Sequence, residues 1–128
     1  MNKTEIIARL TGLALPKSEY WVIAGSAMAL YGLREQTNDI DLGCTTLLAD
    51  ALQRQGYPVT VLDGGSRRIT IGDDIEVYEN WLYDQVILRE SIPVISPEGL
   101  LQMKRFLGRP KDQDDIARIE VFLKTSCN

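Results

Sequence analysis

Short β-rich runs alternating with helix-period stretches predict an α/β (α+β) fold: a small mixed β-sheet flanked by helices, with two helices at the C-terminal end. Three observations carry this prediction. Tyr20 to Ala24 is a continuous β-prone run that stops at Gly25-Ser26. The segment from Pro58 to Tyr78 holds three such runs separated by Gly/Asp turns. Beyond Ser96-Pro97-Glu98 the apolar residues recur at helical spacing to the end of the chain.

The elements follow in order. Asn2-Lys3-Thr4-Glu5 has the form of a capping box, and Ile6, Ile7, Leu10 and Leu13 continue it at helical spacing until Pro16-Lys17-Ser18. Tyr20–Ala24 is a buried strand. A short helix, Ala27 to Tyr31, ends at Gly32 as its C′ residue. A strand over Asp39–Gly43 comes next, then a helix capped by Thr45 or Thr46 and stopped by Gly56. Pro58–Leu62, Arg67–Ile71 and Ile75–Tyr78 read as strands, with Asp63-Gly64-Gly65 and Gly72-Asp73-Asp74 as turns. Ser96-Pro97-Glu98 opens a helix, with proline at N1, that ends near Gly108. The last helix starts around Lys111-Asp112 and runs to about Lys124.

Composition narrows the chemistry. The 128 residues fit a single domain, 1–128, of ordinary soluble composition, with 45% apolar and 25% charged residues. No apolar run reaches the roughly 20 residues a membrane helix needs, and no secretory layout opens the chain, so a cytoplasmic protein is expected. Cys44 and Cys127 make no disulfide framework and read as reduced thiols, with no role assigned to Cys44. The chain has no histidine, which excludes Ser-His-Asp and Cys-His catalysis and leaves oxygen as the expected metal donor. With 14 basic and 18 acidic residues the net charge is −4, which speaks against a polynucleotide partner.

Asp39 and Asp41 lie two apart in a predicted strand, so both point to one face while Ile40 and Leu42 point to the core. Paired carboxylates repel, and Mg²⁺ is their natural partner. Gly25 permits a tight turn or close approach of a ligand, and Ser26 either caps the following helix or contacts a phosphate. Glu76 on a later strand would complete a three-acid cluster able to hold two cations about 4 Å apart, with Asp74 as the competing third acid. Lys104 falls on or beside the buried stripe of Leu100, Met103 and Leu107; it meets either Asp115 as an ion pair or a nucleotide phosphate. Arg34 is either a phosphate contact or an ordinary exposed arginine. Arg67-Arg68 reads as a solvated or edge-protecting pair. Trp21 and Trp81 read as core or cleft wall.

Taken together these residues resemble the nucleotidyltransferase superfamily that includes polymerase beta. The matching segments are Ile23-Ala24-Gly25-Ser26, Asp39-Ile40-Asp41-Leu42 and Ile75-Glu76-Val77. Small bacterial members are closer still: the lincosamide, aminoglycoside and abortive-infection toxin nucleotidyltransferases. Their pattern is matched by Gly25-Ser26-Ala27-Met28-Ala29-Leu30-Tyr31-Gly32-Leu33-Arg34, by Thr37-Asn38-Asp39-Ile40-Asp41, and by Lys104 with Gly108-Arg109-Pro110-Lys111-Asp112 and Asp115. The resemblance implies a nucleotidyltransferase-like fold and Mg²⁺-dependent (or Mn²⁺-dependent) transfer of a nucleoside monophosphate from an NTP to a hydroxyl of a small molecule or protein. It implies Asp39, Asp41 and Glu76 as catalytic acids and metal ligands, and Gly25, Ser26, Arg34 and Lys104 as nucleotide contacts. Two departures stand out. The third acid is glutamate where aspartate is more usual, and the chain lacks the acceptor-binding domain of the larger antibiotic-modifying enzymes. A homodimer or protein partner completing the cleft is therefore expected, and a non-catalytic nucleotide-binding or antitoxin-like module is the rival reading.

Overall fold

A computed structural model describes residues 1–82 and 85–126; Cys127 lies outside the described residues. The elements run α1 (Lys3–Leu13), β1 (Tyr20–Ile23), α2 (Ala24–Leu30), β2 (Ile40–Cys44), α3 (Thr46–Arg54), β3 (Val59–Val61), β4 (Arg67–Ile71), β5 (Ile75–Glu79), β6 (Val86–Arg89), β7 (Ile92–Ile95), α4 (Pro97–Leu107), a 3₁₀ turn (Pro110–Asp112) and α5 (Gln113–Ser126). The strands form one mixed sheet in the order β3-β4-β5-β2-β1-β7-β6. β2 runs parallel to β5 and β1 parallel to β7, while the other neighbours are antiparallel. The fold class is the one expected, with more strands than expected.

Local chemistry explains where the helices begin and end. Asn2 accepts from the Glu5 amide at 2.9 Å and Glu5 accepts from the Asn2 amide at 3.0 Å, which closes the capping box on α1. Thr45 caps α3 through the Leu48 amide, and Ser96 caps α4 through the Gly99 amide with Pro97 in the first turn. α4 stops at Gly108, which takes the left-handed backbone conformation that glycine adopts without a Cβ penalty.

Alternation along β2 and β5 sends Ile40, Leu42, Ile75 and Val77 into the core, each 1% exposed or less. Ile69 and Ile71 of β4 join them. α2 packs on β1, β2 and α4, and α4 packs on α5. Cys44 is buried in this core, its thiol pushed up to about 12 mainly by desolvation.

Two elements depart from expectation. The hairpin β6–β7 was not predicted. Its turn residues Glu90 and Ser91 both have positive φ, 50° and 67°. That geometry usually takes Asn or Gly, so the ordinary turn signal is missing. Pro93, in register with Leu88 of β6, also removes a ladder donor from β7.

Arg67 is the second departure, for it neither lies on an edge strand nor stands solvated. Its guanidinium donates to both carboxylate oxygens of Glu79, at 3.0 and 2.8 Å, and pairs with Asp50. The partner lies across the β4–β5 pairing, which sequence spacing does not reveal. The Glu79 carboxyl is drawn down to about 2, first by this guanidinium. A depressed acid contributes stability above its unfolded value of 4.5, and loses it as pH falls through about 2. Glu79→Gln is therefore expected to cost about 2 kcal/mol at neutral pH. Urea unfolding across pH checks this: the gap between the two proteins closes toward pH 2 if the pair is responsible.

Candidate functional site

A polar cavity of about 690 Å³ opens where the end of β1, the start of β2 and the C-terminal helices converge. Gly25, Arg34, Asp39, Asp41 and Lys104, all predicted from sequence, line it. Arg109, Lys111, Asp112 and Asp115 line it too. From sequence, Arg109 and Lys111 stand out only through the family resemblance. The available signal was two cations immediately after a helix-ending glycine.

The acid side is built by strand pairing. Asp41 is the partner of Glu76 in the parallel β2–β5 register, so the two side chains share a face. Asp41 is half-buried, and its carboxyl is pushed up to about 6. Desolvation is the largest cause, followed by the charges of Glu76 and Asp39. Asp39 lies one residue before β2, not within it, and is exposed. β2 starts at Ile40 because the Ile40 amide donates to the Asp74 carbonyl at 2.8 Å.

Asp74, the competing third acid, is occupied elsewhere. Arg9 grips both of its carboxylate oxygens at 2.9 and 3.1 Å and holds its carboxyl below the usual value. Glu76 does not line the cavity, and its Oε2 accepts from the Tyr78 hydroxyl at 2.6 Å. Among the described residues no three His, Cys, Asp or Glu side chains gather as a ready metal cage. Glu76 and Asp39 still stand near enough to Asp41 for both charges to raise its pKa.

Ser26 also requires a correction. α2 begins at Ala24, three residues earlier than expected, with Ile23 as N-cap and no side-chain cap bond. Ala24 makes this abrupt entry in the left-handed region, φ 56°, which costs a non-glycine residue on the order of 1 kcal/mol. Ser26 is consequently inside the helix and fully buried. Its Oγ donates to the Ile23 carbonyl at 2.8 Å and accepts from the Asp41 amide at 3.1 Å. It holds the backbone of Asp41 in place rather than capping a helix. Gly25 faces Arg34: a Cβ there would lie 2.4 Å from Arg34 Nη1, so glycine leaves room for the guanidinium.

The basic side is a linked network. Lys104 Nζ lies 3.1 Å from Asp115 and 3.4 Å from Asp112. Arg34 meets Asp115 at 2.9 Å, and Arg109 holds both oxygens of Asp112 at 2.7 and 3.0 Å. Helical spacing makes this possible: Lys104 is on the buried face of α4, with Asp112 and Asp115 about one turn apart at the start of the next helix. The Asp112 carboxyl is drawn down to about 2, chiefly by Arg109. The ion-pair alternative for Lys104 is the one seen.

No protein-family model matches the chain, and no curated protein matches it. Solved structures do. A proposed nucleotidyltransferase of Thermotoga maritima superposes with TM-score 0.63 at 18% identity, covering 92% of this chain and 94% of that one. The fold is nucleotidyltransferase-like. ANT(2″)-Ia, solved with adenylyl-2″-tobramycin, superposes with TM-score 0.55 at 21% identity, covering 92% of this chain and 85% of the other. No described helix is long and apolar enough to cross a membrane.

Proposed function

We propose that this protein is a nucleotidyltransferase that moves a nucleoside monophosphate from an NTP to a hydroxyl of a small molecule or protein. The observation that carries this reading is Asp41. It is a half-buried carboxylate registered beside Glu76 and pushed up to about 6, on the wall of a cavity whose other wall is basic. The donor set is all oxygen and suits Mg²⁺ (or Mn²⁺), which takes one or two carboxylates and completes its shell with phosphate and water. Asp39 and Asp41 would hold that ion, with Glu76 alongside. When bound it supplies charge neutralisation at the phosphates and lowers the pKa of a coordinated hydroxyl.

In this reading Arg34, Lys104, Arg109 and Lys111, which line the cavity, receive the triphosphate, and the Ser26 hydroxyl, which accepts from the Asp41 amide, keeps Asp41 in position. Glu76 is the group in this reading that accepts the acceptor's hydroxyl proton as its oxygen attacks the α-phosphorus. Pyrophosphate then leaves toward the basic wall. A soluble, cytoplasmic setting suits such chemistry.

A second reading, a non-catalytic nucleotide-binding or antitoxin-like module, is favoured by one observation: Glu76 accepts from Tyr78 and does not line the cavity. The two readings separate in a paired experiment. Mg²⁺ with an NTP is expected to raise the melting temperature, and Asp41→Ala to remove that rise. α-Labelled NTP incubated with candidate acceptors is expected to yield labelled product, lost in Asp39→Ala. A melting shift without transfer favours the nucleotide-binding module; no shift with any NTP overturns the nucleotide site in both readings and leaves only the antitoxin-like one.

A further inference from the structure

The sheet ends in two edges of unlike build. β3, at one end, is three residues long and follows directly on Pro58. Short length and proline are common ways of blunting an edge. β6, at the other end, carries Val86, Ile87 and Leu88 in succession, 38%, 36% and 70% exposed. The charge on this strand does not guard it, because Arg89 is turned back on its own chain. Its Nε donates to the Leu30 carbonyl at 2.9 Å, and its guanidinium lies 5.0 Å from the centre of the Tyr31 ring. Glu90, in the turn beyond, is paired with Lys3 at 2.9 Å. A run of exposed apolar residues on an open edge is a template for another strand.

Strand geometry says which backbone groups of β6 are open. The Ser96 amide donates to the Gln85 carbonyl at 2.7 Å, so Gln85 faces β7. Backbone groups alternate sides along an antiparallel strand. Ile87 and Arg89, registered with Val94 and Ile92, therefore face β7 as well, whereas the N–H and C=O of Val86 and Leu88 point away from the sheet. No described strand lies beyond them. A second β6, brought in antiparallel about a two-fold axis at Ile87, sets Val86 opposite Leu88 and Leu88 opposite Val86. Every open N–H and C=O of these residues then finds a partner. Val86 and Leu88 meet on one face of the sheet, and the two Ile87 side chains meet on the other. The same register places Arg89 opposite Gln85 and not opposite its own copy, so no like charges face each other along β6.

We infer that β6 is the contact surface for a second copy of this chain, which pairs edge to edge with Ile87 at the two-fold axis and continues one sheet across both molecules. A second copy fits because the contact is isologous: the Val86-Ile87-Leu88 run is its own complement in size, polarity and hydrogen bonding. A homodimer was expected to complete the cleft. Pairing at β6 does something else, for none of Val86, Ile87 or Leu88 lines the cavity. Each chain keeps its own cavity open, and the dimer does not depend on nucleotidyl transfer.

Sedimentation equilibrium of the full chain, from about 1 to about 200 µM, tests this. A monomer–dimer equilibrium with a micromolar midpoint is expected, and nothing larger, because a two-fold contact closes on itself. Val86→Lys combined with Leu88→Lys opposes like charges at both pairs and is expected to raise the dissociation constant at least about tenfold. Val86→Glu combined with Leu88→Lys sets opposite charges against each other in this register and is expected to keep the dimer. Leu88→Pro removes an outward N–H and no bond to β7, so the dimer weakens while the hairpin stays. Circular dichroism of each variant is expected to match the parent, since both positions are exposed. A monomer at every concentration or an assembly larger than two overturns the contact. So does a dimer undiminished both by Val86→Lys with Leu88→Lys and by Leu88→Pro. Loss of the dimer in Val86→Glu with Leu88→Lys overturns the two-fold pairing at Ile87.

Discussion

Asp41→Asn is expected to stabilise the ligand-free protein while abolishing the nucleotidyl transfer proposed for it. The Asp41 carboxyl is pushed from 3.8 up to about 6 by burial and by its neighbours Glu76 and Asp39. Each pH unit of such displacement corresponds to about 1.4 kcal/mol, so the ionised form costs the fold on the order of 3 kcal/mol at neutral pH. The sign follows from which state binds the proton more tightly. Here it is the folded state, so the cost is full above about 6 and disappears as pH falls below 3.8, where both states are protonated. An asparagine keeps the shape and carries no charge. Its melting temperature at neutral pH is expected to exceed that of the parent by several degrees, and the gap to shrink toward pH 4. Saturating Mg²⁺ is expected to narrow the gap as well, because a cation at the carboxylate removes the repulsion. A variant no more stable than the parent would show that Asp41 is not under electrostatic strain. Stability gained where activity is lost is the usual mark of a group kept for chemistry rather than for folding.

Lys104→Met has the opposite expectation: a loss of about 3 kcal/mol, near the lower end for breaking a buried ion pair. The Lys104 side chain is 6% exposed, and its partners Asp112 and Asp115 are 1% and 9% exposed. Removing the ammonium leaves two buried carboxylates, each with a remaining arginine: Arg109 on Asp112 and Arg34 on Asp115. Those arginines are why the expected loss is not larger. Adding Asp115→Asn to Lys104→Met is expected to restore part of the stability by removing one of the stranded charges. Urea unfolding of the single and double variants checks both statements. A single variant within about 0.5 kcal/mol of the parent, the range of ordinary surface changes, would refute the buried network.

Much of the architecture is legible locally because helix ends and tight turns depend on a few adjacent residues. The Asn2–Glu5 box, the Ser96-Pro97 start and the Gly108 stop each appear where sequence places them. The alternation that sends Ile40 and Leu42 inward and Asp41 outward is likewise a property of one strand. The β6–β7 hairpin escaped because Glu90 and Ser91 adopt left-handed conformations that the residues themselves do not advertise, and tertiary pairing holds them there. The start of α2 escaped for the same reason: a left-handed Ala24 moves the helix forward and takes Ser26 from cap to core.

By itself, then, the sequence determined the mixed α/β class, the alternation that sets Asp41 opposite the core-facing Ile40 and Leu42, and the inward face of α4 that carries Lys104, since each rests on spacing along one element. Tertiary structure alone decided who stands beside whom. It registered Glu76 against Asp41 yet turned its carboxylate to Tyr78, gave Asp74 to Arg9 and Arg67 to Glu79, and closed Arg34 and Arg109 onto the aspartates around Lys104. The physical reason is that charges choose partners across strands and helices, at distances set by packing, and the order of residues along the chain does not contain those distances.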